Sequence, residues 1–210
     1  AGRNGFPEDE LRAALENHPG YKHGVTKIPD FTFLEDGDPL EIGDYRFRCV
    51  RTPGHTKGHT CLYEPEKKLF VSGDHILIDI TPNIQCWRDG MNPLGDYLAS
   101  LDKVRALDIE LVLPGHRRLL RDCRGRIDEL KRHHDRRADE ILAVLSGGTQ
   151  NAYRIASGMT WDLDCASWDL FPVAQKWFAT GEAIAHLRWL EERGEVVSET
   201  EGNNVTFSRG

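Results

Sequence analysis

The sequence predicts an α/β (α+β) fold in two parts, on three observations. Between residues 39 and 114, short apolar or β-branched runs alternate with turn signals, as the strands of one sheet would. Three of these runs lead into a glycine that stands beside a side chain able to bind a metal: Thr52-Pro53-Gly54-His55-Thr56-Lys57-Gly58-His59, Ser72-Gly73-Asp74 and Leu113-Pro114-Gly115-His116. After the longest helical pattern, Arg124 to Leu145, the break Ser146-Gly147-Gly148-Thr149 introduces a smaller part in which three helices precede a hairpin.

Taken in order, Pro7 to Asn17 reads as a helix with Leu11, Ala14 and Leu15 on one side, ending at Pro19-Gly20. Phe31 to Leu34 predicts a short strand. Pro39 to Arg51 predicts a hairpin around Gly43-Asp44, whose second strand alternates Tyr45, Phe47 and Cys49 with Arg46 and Arg48. Cys61 to Glu64 and Leu69 to Ser72 predict two more strands, joined by the polar turn Pro65-Glu66-Lys67-Lys68. Asp79 to Asn92 is irregular. Asn92-Pro93 then opens a helix as N-cap and first-turn proline, with Leu94, Leu98, Leu101 and Val104 as its buried stripe. Glu110 to Leu113 predicts the strand that leads to His116. In the long helix, Ile127, Leu130, His134, Ala138, Ile141, Leu142 and Leu145 recur at helical spacing. The smaller part predicts a helix near Asn151 to Ser157, a Trp-rich stretch and two helices between Pro172 and Arg193. Its hairpin, Glu195 to Thr200 and Asn204 to Ser208, turns at Gly202-Asn203.

A chain of 210 residues with 39% hydrophobic content holds one ordinary domain and a small appendage. Its net charge of −7 argues against a general polyanion binder, so nucleic acid is not an expected partner. Five cysteines, Cys49, Cys61, Cys86, Cys123 and Cys165, are odd in number and form no Cys-x-x-Cys pair, which suits a reduced, cytoplasmic setting. No apolar run approaches bilayer length and the start is not a signal peptide, so no membrane partner is expected. Ala1-Gly2-Arg3 lacks an initiator methionine, and the chain reads as a fragment.

Glycine in the three motifs lets the backbone turn sharply near an ion, while the preceding strand fixes where the imidazole or carboxylate points. Two histidines and an aspartate suit zinc, and iron or manganese accept the same ligands. In this order the motifs resemble the second half of a metallo-β-lactamase superfamily hydrolase of the glyoxalase II-like and lactamase-β-like protein 2-like kind. That resemblance implies half of an αββα metallo-β-lactamase sandwich over residues 1–148 and a winged-helix-like α+β tail over 149–210. It also implies two divalent metal ions, zinc before iron or manganese, with His55 on one, His116 on the other and Asp74 bridging. Such a centre would activate a water to attack an ester, thioester, lactone or phosphodiester in a small-molecule substrate.

The family's first motif, His-x-His-x-Asp-His, occurs nowhere in these residues. A catalytic zinc ordinarily takes three protein ligands, so metal in this chain alone is expected to be weak or absent, and the fragment inactive alone. The half sandwich calls for a covering partner: the missing N-terminal half or a swapped copy of the same chain, and hence a homo-oligomer in the second case. The alternative reading is a non-catalytic scaffold or protein-interaction module on the same fold.

Other candidates carry less. His59, among Pro53, Gly54 and Gly58, is not on a helix, and the resemblance makes it a group that steadies the ligands from behind. His75 follows Asp74 directly, points the other way along an extended chain, and takes the same supporting role. Trp87 lies between the second and third motifs and is expected to wall the substrate pocket, with a subunit contact as the equal alternative. Arg117, Arg118, Arg121, Arg124 and Arg126 could contact phosphate, but the interspersed Asp122, Asp128 and Glu129 favour a solvated helix start. Trp161, Trp168, Phe171, Trp177 and Phe178 read as the core of the smaller part. His134 reads as a core histidine and His133 as solvent-facing. His18, His23 and His186 receive no role, and no catalytic residue beyond the ligands is assigned.

Overall fold

The computed structural model describes residues 1–17 and 30–210. Contacts divide the chain into two compact units: residues 31–84 with 92–134, and the described residues up to Asp30 with 85–91 and 135–210. His18, His23 and the expected helix stop at Pro19-Gly20 fall outside the described residues.

In the first unit, β1 (Pro39–Ile42), β2 (Tyr45–Arg51), β3 (Thr60–Glu64), β4 (Leu69–Gly73) and β5 (Leu111–Pro114) form one sheet in that order. The first three pairings are antiparallel, and the hairpin between β1 and β2 turns at Gly43, whose φ of 58° suits a two-residue loop. β4 and β5 run parallel, which requires a long crossover, and that crossover carries α2 (Pro93–Arg105). Asn92 caps α2 as expected, its Oδ1 accepting from the Gly95 amide at 2.9 Å.

The apolar stripe of α2 is turned slightly from the expected one. Leu94, Tyr97, Leu101 and Val104 are fully buried, while Leu98 is half-buried. Spacings of three and four place Tyr97 at the centre of that face. Together with Phe70 of β4 and Val112 of β5, and with Ile127 and Leu130 from the first half of α3 (Cys123–Leu145), these side chains form the unit's core. Each contributes about 1.5–3 kcal/mol by leaving water.

The strand expected at Phe31 to Leu34 is not formed, and Phe33 is 88% exposed. The main-chain groups of β2 at Cys49 are already engaged by Gly37 and Asp38, at 2.8 Å each, so the preceding residues have no edge there to join. Tyr45 is likewise exposed rather than buried with Phe47 and Cys49; it stacks on Phe47 and carries the Lys67 ammonium 4.0 Å over its ring.

The second unit contains α1 (Glu8–Asn17), the second half of α3, α4 (Ala152–Gly158), α5 (Val173–Glu192) and the hairpin of β6 (Val196–Glu201) and β7 (Asn204–Arg209). The two helices expected between Pro172 and Arg193 are one continuous helix of 20 residues. Gly181 stands in its middle, where its role is contact. A Cβ there would lie 2.8 Å from Trp87 Nε1 and 2.9 Å from Gln85 Oε1, and the Cys86 amide donates to the Gly181 carbonyl at 3.0 Å.

Phe6, 3% exposed, makes edge contacts with Tyr153 and Trp177, and Lys176 Nζ donates to Glu10 at 2.7 Å. Arg137 on α3 pairs with Glu182 on α5 at 3.0 Å. These ties group the N-terminal helix and residues 135–148 with the tail, where the expected division at 148 had separated them. Among the described residues, no helix is long and apolar enough to cross a membrane.

Candidate metal centre

Thr52 ends the approach from β2. Its amide donates to the His59 carbonyl at 2.9 Å, and the amides of Gly54 and His59 both donate to the Thr56 carbonyl, closing a compact loop. Gly54 has φ 144°, a region that favours glycine, and its α-carbon packs against Tyr97. On this loop His55 Nδ1 lies 2.8 Å from the Asn83 carbonyl. A carbonyl can only accept, so Nδ1 carries a proton, and the neutral form of this ring is the tautomer with its lone pair on Nε2. That Nε2 stands 3.6 Å from Asp74 Oδ2.

Asp74 follows β4 through Gly73 at φ 50°. The turn behind it is closed by His75 N–H to Ser72 O at 2.9 Å and by the buried Ser72 hydroxyl to Ile76 O at 2.8 Å. The neighbouring loop after β5 is tied on by Gly115 N–H to Gly73 O at 2.8 Å, and His116 Nε2 comes within 3.4 Å of Asp74 Oδ1. The structure therefore brings His55, Asp74 and His116 together, each carboxylate oxygen facing a different imidazole.

Two observations bear on whether these residues suit a divalent ion. Asp74 Oδ1 is sealed from solvent without a hydrogen-bond partner, a costly state for a carboxylate oxygen unless a cation meets it. Two donors sharing a tetrahedral zinc stand about 3.3 Å apart, close to both imidazole to carboxylate distances. Among the described residues, however, no three or more His, Cys, Asp and Glu side chains close into one group around an ion. The arrangement is two pairs sharing a carboxylate. It fits divalent ions in donor type and pairwise spacing and falls short in number.

The orphaned oxygen gives a first prediction. Asp74→Asn raises the stability of the metal-free chain at pH 8 by about 1 kcal/mol in urea denaturation, because a buried unpaired carboxylate oxygen is lost. An unchanged or lower midpoint would contradict it.

The two supporting histidines differ from each other. His59 Nδ1 lies 2.8 Å from the fully buried Thr52 hydroxyl, and its Nε2 sits 2.9 Å from where a Cβ on Gly73 would be. Burial, and then the nearby His55, lower its pKa while Asp74 opposes them. His75 is fully buried, with neither ring nitrogen in a well-formed hydrogen bond. Burial above all, then His59, depresses its pKa to about 3, the Ser100 backbone offsetting this in part, so it stays neutral.

Trp87 belongs to the second unit, where it stacks on Trp177 at 4.0 Å and donates to Gln85 Oε1 at 2.8 Å. Of the arginines after His116, Arg118 forks onto Asp79 with two bonds of 2.9 Å. Arg126 donates to the carbonyls of Leu77 and Ile80 and to Glu129. Both serve the fold. His134 is buried, and His186 lies inside α5 with Nδ1 2.9 Å from the Glu182 carbonyl. Sequence reading missed Tyr97, Ser100 and Asn83. The first two share the α2 stripe and were legible as helical neighbours of Leu94 and Leu101; Asn83 acts through its main chain, which leaves no mark in sequence.

Comparison with known proteins gives the family of the chain. The model of the metallo-beta-lactamase superfamily matches residues 3–116, and that of the metallo-beta-lactamase-like C-terminal domain matches 169–209. The chain is 30% identical over 118 residues to the beta-lactamase-like protein 2 homolog of Caenorhabditis elegans, covering 56% of this chain and 38% of that protein. It is 32% identical over 100 residues to human acyl-coenzyme A thioesterase MBLAC2, covering 44% and 33%. The chain thus spans well under half the length of these relatives. A beta-lactamase domain protein from Burkholderia ambifaria superimposes with TM-score 0.82 at 30% identity, covering 95% of this chain and 58% of that one. A metallo-beta-lactamase family protein from Thermus thermophilus superimposes with TM-score 0.72 at 31% identity, covering 100% and 68%. A sheet whose strand ends gather His55, Asp74 and His116, matched by that family over more than half its length, makes this chain a member of the metallo-beta-lactamase superfamily.

Proposed function

We propose that this chain forms half of the sandwich of a metal-dependent hydrolase acting on an acyl ester or a phosphodiester, with thioesters ahead of lactones, simple esters and phosphodiesters. The observation that carries it is the single carboxylate of Asp74 flanked by two imidazoles, one at each oxygen. The preference for thioesters is supported by relatives named for that activity, the human acyl-coenzyme A thioesterase and an atrochrysone carboxyl ACP thioesterase of Aspergillus fumigatus.

In this reading His55, Asp74 and His116 hold divalent ions, zinc before iron or manganese. Bound there, an ion supplies a Lewis acid and brings a water's pKa towards neutrality. The chain's own residues do the positioning. The Asn83 carbonyl keeps His55 in the tautomer that presents Nε2, and the Gly115 to Gly73 bond holds the His116 loop beside Asp74. His59 and His75 steady these loops from behind. The further ligands, the His-x-His-x-Asp-His set, are not among these residues and come from an N-terminal segment outside this chain. The tail from 149 onward is a winged-helix-like domain, and the working compartment is the cytoplasm.

Zinc titration by calorimetry tests this. We expect at most one ion per chain, with a Kd of roughly micromolar or weaker, and loss of that binding in Asp74→Asn. Tight binding of two ions per chain would overturn the incomplete-shell reading, and binding unchanged by Asp74→Asn would overturn the ligand assignment. The failure of the three side chains to close into one group favours the rival reading, a non-catalytic scaffold on the same fold. That reading predicts no zinc binding even when the N-terminal segment is restored.

A further inference from the structure

We propose that Tyr97 and Ser100 of α2 are positioning residues that hold the His55 and Asp74 loops in register with each other, an inference that rests on the metal-centre reading above. The loops follow β2 and β4, which are not neighbours in the sheet: β3 runs between them. Alternate strands lie about 10 Å apart, and the ladder alone leaves their protruding loops free to shift independently. One helix spans that gap. Tyr97 Oη donates to the carbonyl of His75, the residue after Asp74, at 2.9 Å. Ser100 Oγ donates to the carbonyl of Pro53, two residues before His55, at 2.9 Å.

The two side chains are three residues apart, so they leave the same face of α2 and their spacing is fixed by the helix. Both are buried, Tyr97 at 0% and Ser100 at 4% exposure. A phenylalanine and an alanine would fill this core without the cost of burying a hydroxyl, so the hydroxyls matter for what they bind. Each is aimed at a main-chain carbonyl, which fixes where a loop sits rather than how one side chain turns. Gly54 packed against the Tyr97 α- and β-carbons brings the first loop onto the same helix.

The test compares Tyr97→Phe, Ser100→Ala and Ser100→Thr with Tyr63→Phe. Tyr63 is 5% exposed in the same unit and gives its hydroxyl to the Asp108 carbonyl at 3.0 Å, so it controls for the general loss of a buried hydrogen bond. Zinc affinity by competition with a chromophoric chelator should fall about tenfold or more in Tyr97→Phe and Ser100→Ala, the usual effect of removing a group that orients ligands. It should fall less than twofold in Tyr63→Phe and recover in Ser100→Thr. Amide exchange of the zinc-free chain should rise selectively at residues 73–76 in Tyr97→Phe and at residues 54–57 in Ser100→Ala. Equal zinc loss in Tyr63→Phe, or unchanged exchange in both loops, overturns the proposal. Should the parent chain bind no zinc at all, as its incomplete ligand set allows, the exchange pattern alone upholds or overturns the positioning role; the metal reading itself falls if zinc is still not bound once the N-terminal segment is restored.

Discussion

Gly54→Ala is expected to cost about 3–5 kcal/mol of unfolding free energy, whereas Gly58→Ala, four residues further along the same loop, should change it by no more than about 0.5 kcal/mol. At Gly54 two penalties add. The φ of 144° strains any residue with a side chain, and the new Cβ would stand 2.5 Å from Tyr97 Cβ and 2.7 Å from its Cα. Neither atom is the end of a flexible side chain, so relief requires α2 to move off the sheet. Nothing lies within 4 Å of a Cβ at Gly58. Urea denaturation of both variants is decisive, since a loss at Gly54 within 1 kcal/mol of that at Gly58 would mean the close approach of loop and helix does not exist. Against a typical domain stability of about 5–15 kcal/mol, the Gly54 variant should be partly unfolded at 37 °C.

Arg137→Met is expected to cost about 3–5 kcal/mol in the second unit. The Arg137 side chain is 6% exposed and holds Glu182 at 3.0 Å, Glu140 at 2.8 Å and the Thr160 carbonyl at 2.6 Å, with its guanidinium 4.1 Å over the Trp161 ring. Methionine fills the volume but leaves the half-buried Glu182 carboxylate on α5 without its cation. Burial raises the Glu182 pKa above its usual 4.5 even with Arg137 opposing that shift, so the folded state holds this proton more tightly than the unfolded one. Its contribution to stability is therefore greatest below pH 4.5 and is lost as pH rises through the folded value. Removing Arg137 takes away the opposing charge, so the variant's deficit should widen from pH 4 to pH 8, and Glu182→Gln added to it should recover most of the loss. A deficit that is flat with pH, or a double variant no better than the single, would show that packing on Trp161 and not the charge pair carries the effect.

Local signals placed most strands, the helix α2, the hairpins at Gly43 and Gly202 and the loops bearing His55, Asp74 and His116, because turn chemistry and alternation are written in neighbouring residues. What sequence could not place depended on partners far along the chain. Phe31 to Leu34 has the composition of a strand but finds the main chain of β2 already engaged by Gly37 and Asp38. The two helices expected between Pro172 and Arg193 are one, and Gly181 within it admits the 85–87 segment against the unbroken helix. The grouping of α1 with the tail depends on Phe6 meeting Tyr153 and Trp177, a pairing no local pattern announces. At the candidate centre the residue types were legible, while the buried Asp74 oxygen and the hydroxyls of Tyr97 and Ser100 needed coordinates.

The bond from the Gly115 amide to the Gly73 carbonyl joins two residues without side chains. Mutational drift can alter the chemistry displayed around it while the fastening itself, being common to every polypeptide, persists. The distance between Asp74 and His116 is thus inherited from the backbone, leaving descendants of such a scaffold free to diversify the surrounding loops for new substrates without rebuilding the grip at its centre.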